Sequence, residues 1–199
     1  MCHSFLSDSR LYERLFHMDQ TLAAEVQAGG CCFCGGVLHS AAYPRKPRGL
    51  RSALNASYDT RLSFCCAVDG CRRRNTPPSV RFLGRKVYLG AMIVLLTALQ
   101  HGLTDKRRQA LIEQLDIPPQ TLSRWRRWWQ EAFPVSRCWR AEQCHFLPPI
   151  SRDQLPGGLL GRFTGSTLPQ RLGQMLRLIC PVSTAWSGSL RKEVVPQKM

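Results

Sequence analysis

No apolar run in the chain is long enough to span a membrane: the longest, VYLGAMIVLLTAL at Val87 to Leu99, falls well short of the roughly 20 residues a spanning helix needs. The first residues, MCHSFLSDSRLYERLF, lack the basic, apolar and small-residue regions of a secretory signal. Both absences set the expectation of a cytoplasmic protein, where the 10 cysteines are reduced or metal-bound rather than paired as disulfides. Catalytic patterns are missing as well. There is no G-x-S-x-G, no phosphate-binding G-x-x-x-x-G-K-[ST] and no paired carboxylates, and His3, His17, His39, His101 and His145 stand in unrelated contexts. A binding protein, not an enzyme, is expected. Acidic residues are scarce, 13 Asp+Glu against 28 Lys+Arg for a formal net charge of +15, so a polyanionic partner is expected, nucleic acid before membrane surface.

Four segments follow from the patterning. Residues 1–30 hold an amphipathic helix, with Leu11, Leu15, Phe16, Leu22 and Val26 at helical spacing before Gly29-Gly30. Residues 31–80 are rich in cysteine and basic residues and too poor in apolar ones to build a core unaided. Residues 85–133 predict three helices, over 85–101, 105–115 and 119–133, with breaks at His101-Gly102 and Asp116-Ile117-Pro118-Pro119. Residues 135–199 predict short helices over Leu155 to Phe163 and Leu168 to Ile179, then a loose tail. The expected fold is mainly α with a small β zinc ribbon, followed by a three-helix helix-turn-helix domain.

The stretch CCFCGG at residues 31–36 contains C-x-x-C, the spacing by which a tight turn delivers two thiolates to one tetrahedral ion, and its glycines permit positive φ. A second pair comes from FCCAVDGCRRRNTPP, residues 64–78. Strand alternation puts Leu62 and Phe64 on the face of Cys66, so Cys66 rather than Cys65 is expected to pair with Cys71. The candidate ligands of a structural Zn2+ are thus Cys31, Cys34, Cys66 and Cys71, with Cys65 as alternative to Cys66 and His39 as a substitute. Buried reduced thiols are the plainer alternative. Arg72, Arg73 and Arg74 directly follow the last ligand, where a folded knuckle would present them to phosphates.

The segment KRRQALIEQLDIPPQTLSRWRRWW, Lys106 to Trp129, has the pattern of a helix, a turn plugged by Ile117 and a second helix opened by Pro119. Leu122 and Trp125 point inward on the second helix. Gln120, Thr121, Ser123, Arg124 and Arg127 face outward, where they are suited to base edges and phosphates in a major groove. Trp128 and Trp129 are expected in the core.

CxxCGG, a spacer, a strand leading to cysteine, GCRRRNTPPSVRFLGRKVYLG and a helix ending TLSRWRRWW together resemble the front end of bacterial insertion-sequence transposases, over residues 31–133. The resemblance implies binding of double-stranded DNA in association with a mobile element, as an accessory factor or regulator in the nucleoid. Transposases of that kind continue into an RNase H-like domain with an acidic triad. After Glu131 only Glu142, Asp153 and Glu193 follow here, so strand transfer would need a separate transposase catalytic subunit as partner. A homodimer is the other protein partnership to consider. An RNA-binding alternative would use Tyr43, Phe64 and the arginines to stack and neutralise single strands.

Overall fold

A computed structural model describes residues 9–45, 47, 56–84, 88–99, 113 and 117–184. About half of the described residues are helical, and a small antiparallel sheet accompanies the helices.

The first helix, α1 (Ser9–Ala28), buries Leu11, Tyr12, Leu15, Asp19, Leu22 and Ala23, a stripe at three- and four-residue spacing. It serves two apolar clusters. Its first half joins the large helical core, while Ala23 and Val26 pack with Cys31, Leu38, Phe64 and Cys66 in a second, much smaller one.

That smaller cluster sits on a three-stranded antiparallel sheet. β1 (Leu38–Ser40) pairs with β4 (Phe64–Cys66), which pairs with β5 (Arg74–Asn75), while β2 (Tyr43–Pro44) and β3 (Thr60–Arg61) form a separate two-stranded ribbon. Opposite residues are Leu38 and Cys66, His39 and Cys65, Phe64 and Asn75, Cys65 and Arg74. Because side chains alternate along a strand, Leu38, Phe64, Cys66 and Asn75 share the buried face. His39, Cys65 and Arg74 share the other.

After β5 the chain passes through Ser79 to Leu83, all buried, and bends at Val80 and Arg81. A bridge from Phe82 to Leu89 then delays the next helix. The helix expected from residue 85 therefore starts later among the described residues, as α2 (Gly90–Leu99). Its residues 91–97 are buried on every side, as an all-apolar helix must be. Its one polar side chain there, Thr97, donates to the Ile93 carbonyl at 2.6 Å.

The helix expected over 105–115 lies outside the described residues except for Glu113, which is helical and exposed. Ile117 is buried in the following turn, and α3 (Pro119–Arg127) then packs against α2. Its Trp125 meets Tyr88 edge-on at 5.1 Å. A π-helical turn, Trp128–Ala132, carries the chain to Phe133 and buries Trp129 completely.

α4 (Arg137–Glu142) was not expected from the sequence; the Ser136 side chain caps it by accepting from the Trp139 N–H at 3.2 Å. The helix expected over 155–163 shrinks to α5 (Gly157–Leu160), with glycine at its first two positions. α6 (Leu168–Ile179) matches expectation and inserts Leu172, Met175, Leu176 and Ile179 into the core. The expected loose tail lies outside the described residues. No described helix is long and apolar enough to cross a membrane.

One buried polar network ties these parts together. The Asp19 carboxylate accepts from Ser79 Oγ at 2.6 Å, the Val80 N–H at 2.7 Å and Arg81 Nε at 2.8 Å. Arg81 also donates to the Tyr58 and Thr60 carbonyls at 2.7 and 2.8 Å. Both members of the ion pair are buried, at 0% and 1% side-chain exposure. Phe16, Tyr58 and Phe82 present their rings to the guanidinium at 4.6–5.0 Å.

Candidate metal centre and basic surfaces

The four expected cysteines converge. The sulfurs of Cys31, Cys34, Cys66 and Cys71 all lie within 4.8 Å of one another. Cys31 and Cys71 are 3.8 Å apart, Cys34 and Cys66 3.4 Å. A disulfide requires about 2.05 Å, whereas tetrahedral thiolates at about 2.3 Å from a zinc ion are about 3.8 Å from each other. The donor set and its spacing fit a metal ion.

Local backbone geometry explains the convergence. α1 stops at Gly29, and Gly30 takes φ of 72°, turning the chain into the first knuckle. There the Gly35 N–H donates to the Cys31 carbonyl and the Cys31 N–H to the Gly36 carbonyl, each at 2.8 Å. A Cβ at Gly36 would fall 2.3 Å from Val68 Cγ2 and 3.3 Å from Cys66 Sγ, so this close approach needs glycine. In the second knuckle, Gly70 at φ 83° and Arg72 at φ 43° reverse the chain so that Cys71 comes back beneath Cys66. The Ala67 N–H donates to the Val37 carbonyl at 2.9 Å and joins the two knuckles.

Backbone donors point at the sulfurs. The Cys31 sulfur receives the N–H groups of Phe33 and Cys34 and, at 3.5 Å, the Asn75 side-chain amide. The Val68 N–H reaches Cys66 Sγ at 3.4 Å, and the Arg73 N–H serves Cys71. For Cys31, burial opposes ionisation, but these donors and the Cys71 thiol outweigh it and lower the thiol to about 6. Cys66 moves the other way. Its Val68 N–H favours the thiolate, yet burial and hydrogen bonding among the sulfurs together push it up to about 12. Without a cation the cluster cannot carry four negative charges at once; a divalent ion removes that conflict.

Asn75 is a part of the centre that spacing did not identify. Its Oδ1 accepts from the Cys32 N–H at 3.2 Å while its Nδ2 faces Cys31 Sγ and the Arg73 carbonyl. The amide thus clamps both knuckles. Cys32 is exposed; Cys65 turns away from the cluster, its thiol donating to the Arg72 carbonyl at 3.3 Å. His39, on the outer face of the sheet opposite Cys65, does not belong to the cluster.

The three arginines after Cys71 are exposed, and each has a partner within the chain. Arg72 contacts Asp69 at 2.6 Å, Arg73 lies 4.6 Å over the ring of exposed Phe33, and Arg74 donates to the Ala41 carbonyl and Ser63 Oγ beside Tyr43. The stacking role expected of Phe64 is corrected: it is 6% exposed and belongs to the core beneath the sheet. On α3, Leu122 and Trp125 anchor the helix inward, and Gln120, Ser123, Arg124, Arg126 and Arg127 are exposed, with Thr121 half-buried.

No protein family model matches the chain. Neither a curated protein nor a solved structure shows significant similarity to it.

Proposed function

We propose that the protein binds double-stranded DNA, with a structural Zn2+ on Cys31, Cys34, Cys66 and Cys71 and with α3 as the helix that reads sequence. The observation that carries the proposal is α3 itself. Leu122 and Trp125 fix it to the core, and the opposite face offers Gln120, Ser123, Arg124 and Arg127 in a chain of net charge +15. Gln and Arg make bidentate contacts with purine edges, while short hydroxyls suit phosphates. Arg72 and Arg73, on the outside of the metal knuckle, add contacts to the backbone that orient the protein without reading bases.

Four thiolates fill a tetrahedral set and leave no open coordination position, which suits a structural rather than a catalytic metal, and a four-sulfur tetrahedral set selects zinc or an iron–sulfur cluster over hard cations. The resemblance of residues 31–133 to the front end of insertion-sequence transposases supports a DNA target at a mobile element, with the protein acting as accessory factor or regulator. It contributes binding, and strand transfer falls to another chain.

Selection of bound sequences from a random duplex pool tests this, with zinc and iron measured on the same sample. Expected are one enriched motif, one zinc per chain, and affinity that falls steeply with salt but keeps its sequence preference. Equal affinity for selected and random duplex would overturn the reading. A second reading, single-stranded RNA binding, draws on exposed Phe33 under Arg73, a pair suited to stacking. Stronger binding to single-stranded RNA than to duplex in direct competition would put it first.

A further inference from the structure

Beside the two-stranded ribbon lies a cavity of about 530 Å3 whose walls include Arg45, Arg61 and Arg74 and, among the described residues, no acidic one. Three guanidinium groups gathered at one cavity repel one another, and of the three Arg61 is the buried one, where arginine is normally paired. Arg74 is held by the Ala41 carbonyl and Ser63 Oγ, and Arg45 by the Gly84 carbonyl at 2.6 Å.

Arg61 is the telling member. It is 2% exposed, its Nη2 donates to the Pro77 carbonyl at 2.5 Å, and its Nη1 is buried without an acceptor. Desolvation works against its charge, as do neighbouring Arg45 and Arg81, and the carboxylate that offsets this, Asp19, is already committed to Arg81. A buried cation with an orphaned donor is costly unless something anionic completes it.

We propose that this cavity is a phosphoryl-group site for a nucleotide-sized ligand, with Arg45, Arg61 and Arg74 facing the phosphate. Arginine's planar fork matches phosphate oxygens. Bare phosphate would leave most of the space empty, since cavities of about 300–1,000 Å3 hold whole small molecules. The remaining walls suit the rest of a nucleotide: Tyr43 supplies a flat ring, and Asn75, Thr76, Ser183 and Thr184 supply hydrogen-bonding side chains. The site is separate from the exposed face of α3, so it stands whether or not α3 reads duplex DNA.

The test is calorimetric titration of the metal-loaded full chain with a nucleoside 5′-monophosphate, the matching nucleoside and inorganic phosphate. Expected is binding of the monophosphate at least about tenfold tighter than the nucleoside, the loss attached to a charge-assisted hydrogen bond, with inorganic phosphate as competitor. Thr184→Glu, which brings a carboxylate to the wall, and Arg74→Gln should each weaken the monophosphate by about tenfold or more; the melting temperature of ligand-free Thr184→Glu should not fall, because the new carboxylate faces guanidinium groups that lack one. Equal binding of nucleoside and monophosphate, no binding of either, or binding indifferent to both substitutions would overturn the proposal. Duplexes with and without 5′-phosphates identify the source. Tighter binding of phosphorylated ends, abolished by Thr184→Glu, assigns the site to a nucleic-acid terminus; no difference between the duplexes, with the free monophosphate still bound, assigns it to a free nucleotide. Loss of duplex sequence preference would sink the proposed function and leave the monophosphate result intact.

Discussion

Stripping the metal from the protein should unfold one part and spare the other, and the cysteines and tryptophans are distributed so that both events can be followed. In the small cluster beneath the sheet, the large side chains buried are Leu38 and Phe64, which contribute about 1.5–3 kcal/mol each on burial. A four-thiolate zinc site contributes about 10–16 kcal/mol. A zinc ion held there would therefore outweigh the apolar contacts, and the sheet should open when a chelator removes it. The helical core has no such dependence, with Trp129, Phe133, Ile93 and Met175 fully or almost fully buried. A thiol reagent reads the first event. Exposed Cys32 and Cys144 react from the start, and the four ligand thiols should appear on chelation, together with half-buried Cys65 as β4 opens. Cys138 and Cys180 should stay silent, because burial raises their thiols to about 11 and about 12. Tryptophan fluorescence reads the second, since no tryptophan lies in residues 31–80. At least four additional reactive thiols with an unchanged tryptophan spectrum is the expected result, and Cys34→Ser with Cys71→Ser, which leaves only Cys31 and Cys66 of the four ligands, should expose those two without chelator. No change in thiol count would refute the ligand assignment. A simultaneous collapse of tryptophan fluorescence would refute the independence of the helical core.

The remaining predictions concern single side chains. Asp19→Ala leaves Arg81 buried and uncompensated and should cost about 3–5 kcal/mol in urea unfolding, or about 6–20 °C in melting temperature at this chain size; a loss below about 1 kcal/mol would mean that water or another group takes the carboxylate's place. Asn75→Ala removes the amide from Cys31 Sγ and should weaken zinc affinity by about 10–100-fold in a chelator competition, with unchanged affinity showing that the clamp is dispensable. Arg124→Ala should relax base preference at one position of the selected site, whereas Arg73→Ala should weaken all duplexes alike and reduce the salt slope by about 1. The opposite pattern would exchange their roles.

Much of the four-cysteine cluster is legible from the sequence because cysteine spacing and glycine placement are local. C-x-x-C-G-G dictates a knuckle, and the alternation through Phe64, Cys65 and Cys66 selects Cys66. Asn75 escapes that logic because β-strand register, not spacing, brings it to Cys31. Asp19 left a readable trace, a carboxylate four residues after Leu15 on the apolar stripe of α1, where only a paired charge can sit. Its partner was not readable, since Arg81 looks like any other arginine in a basic chain. The three arginines of the cavity are invisible for the same reason, being separated along the chain and gathered by the pairing of short strands. The late start of α2 reflects tertiary override: Tyr88 and Leu89 have a helical pattern but are held extended against Phe82.

The Asp19–Arg81 pair also bears on the order in which the chain folds. Its partners are 62 residues apart, and the segment between them contains both cysteine knuckles, with Cys31 and Cys71 separated by 40. Once the four sulfurs are held together, the loop that must close to bring Asp19 to Arg81 shrinks to about 22 residues, lowering its closure entropy by about 0.9 kcal/mol. Metal capture early in folding would thus speed formation of a salt bridge that touches no metal ligand. A chain refolding in the presence of chelator should reach its tryptophan signal several-fold later than one refolding with zinc.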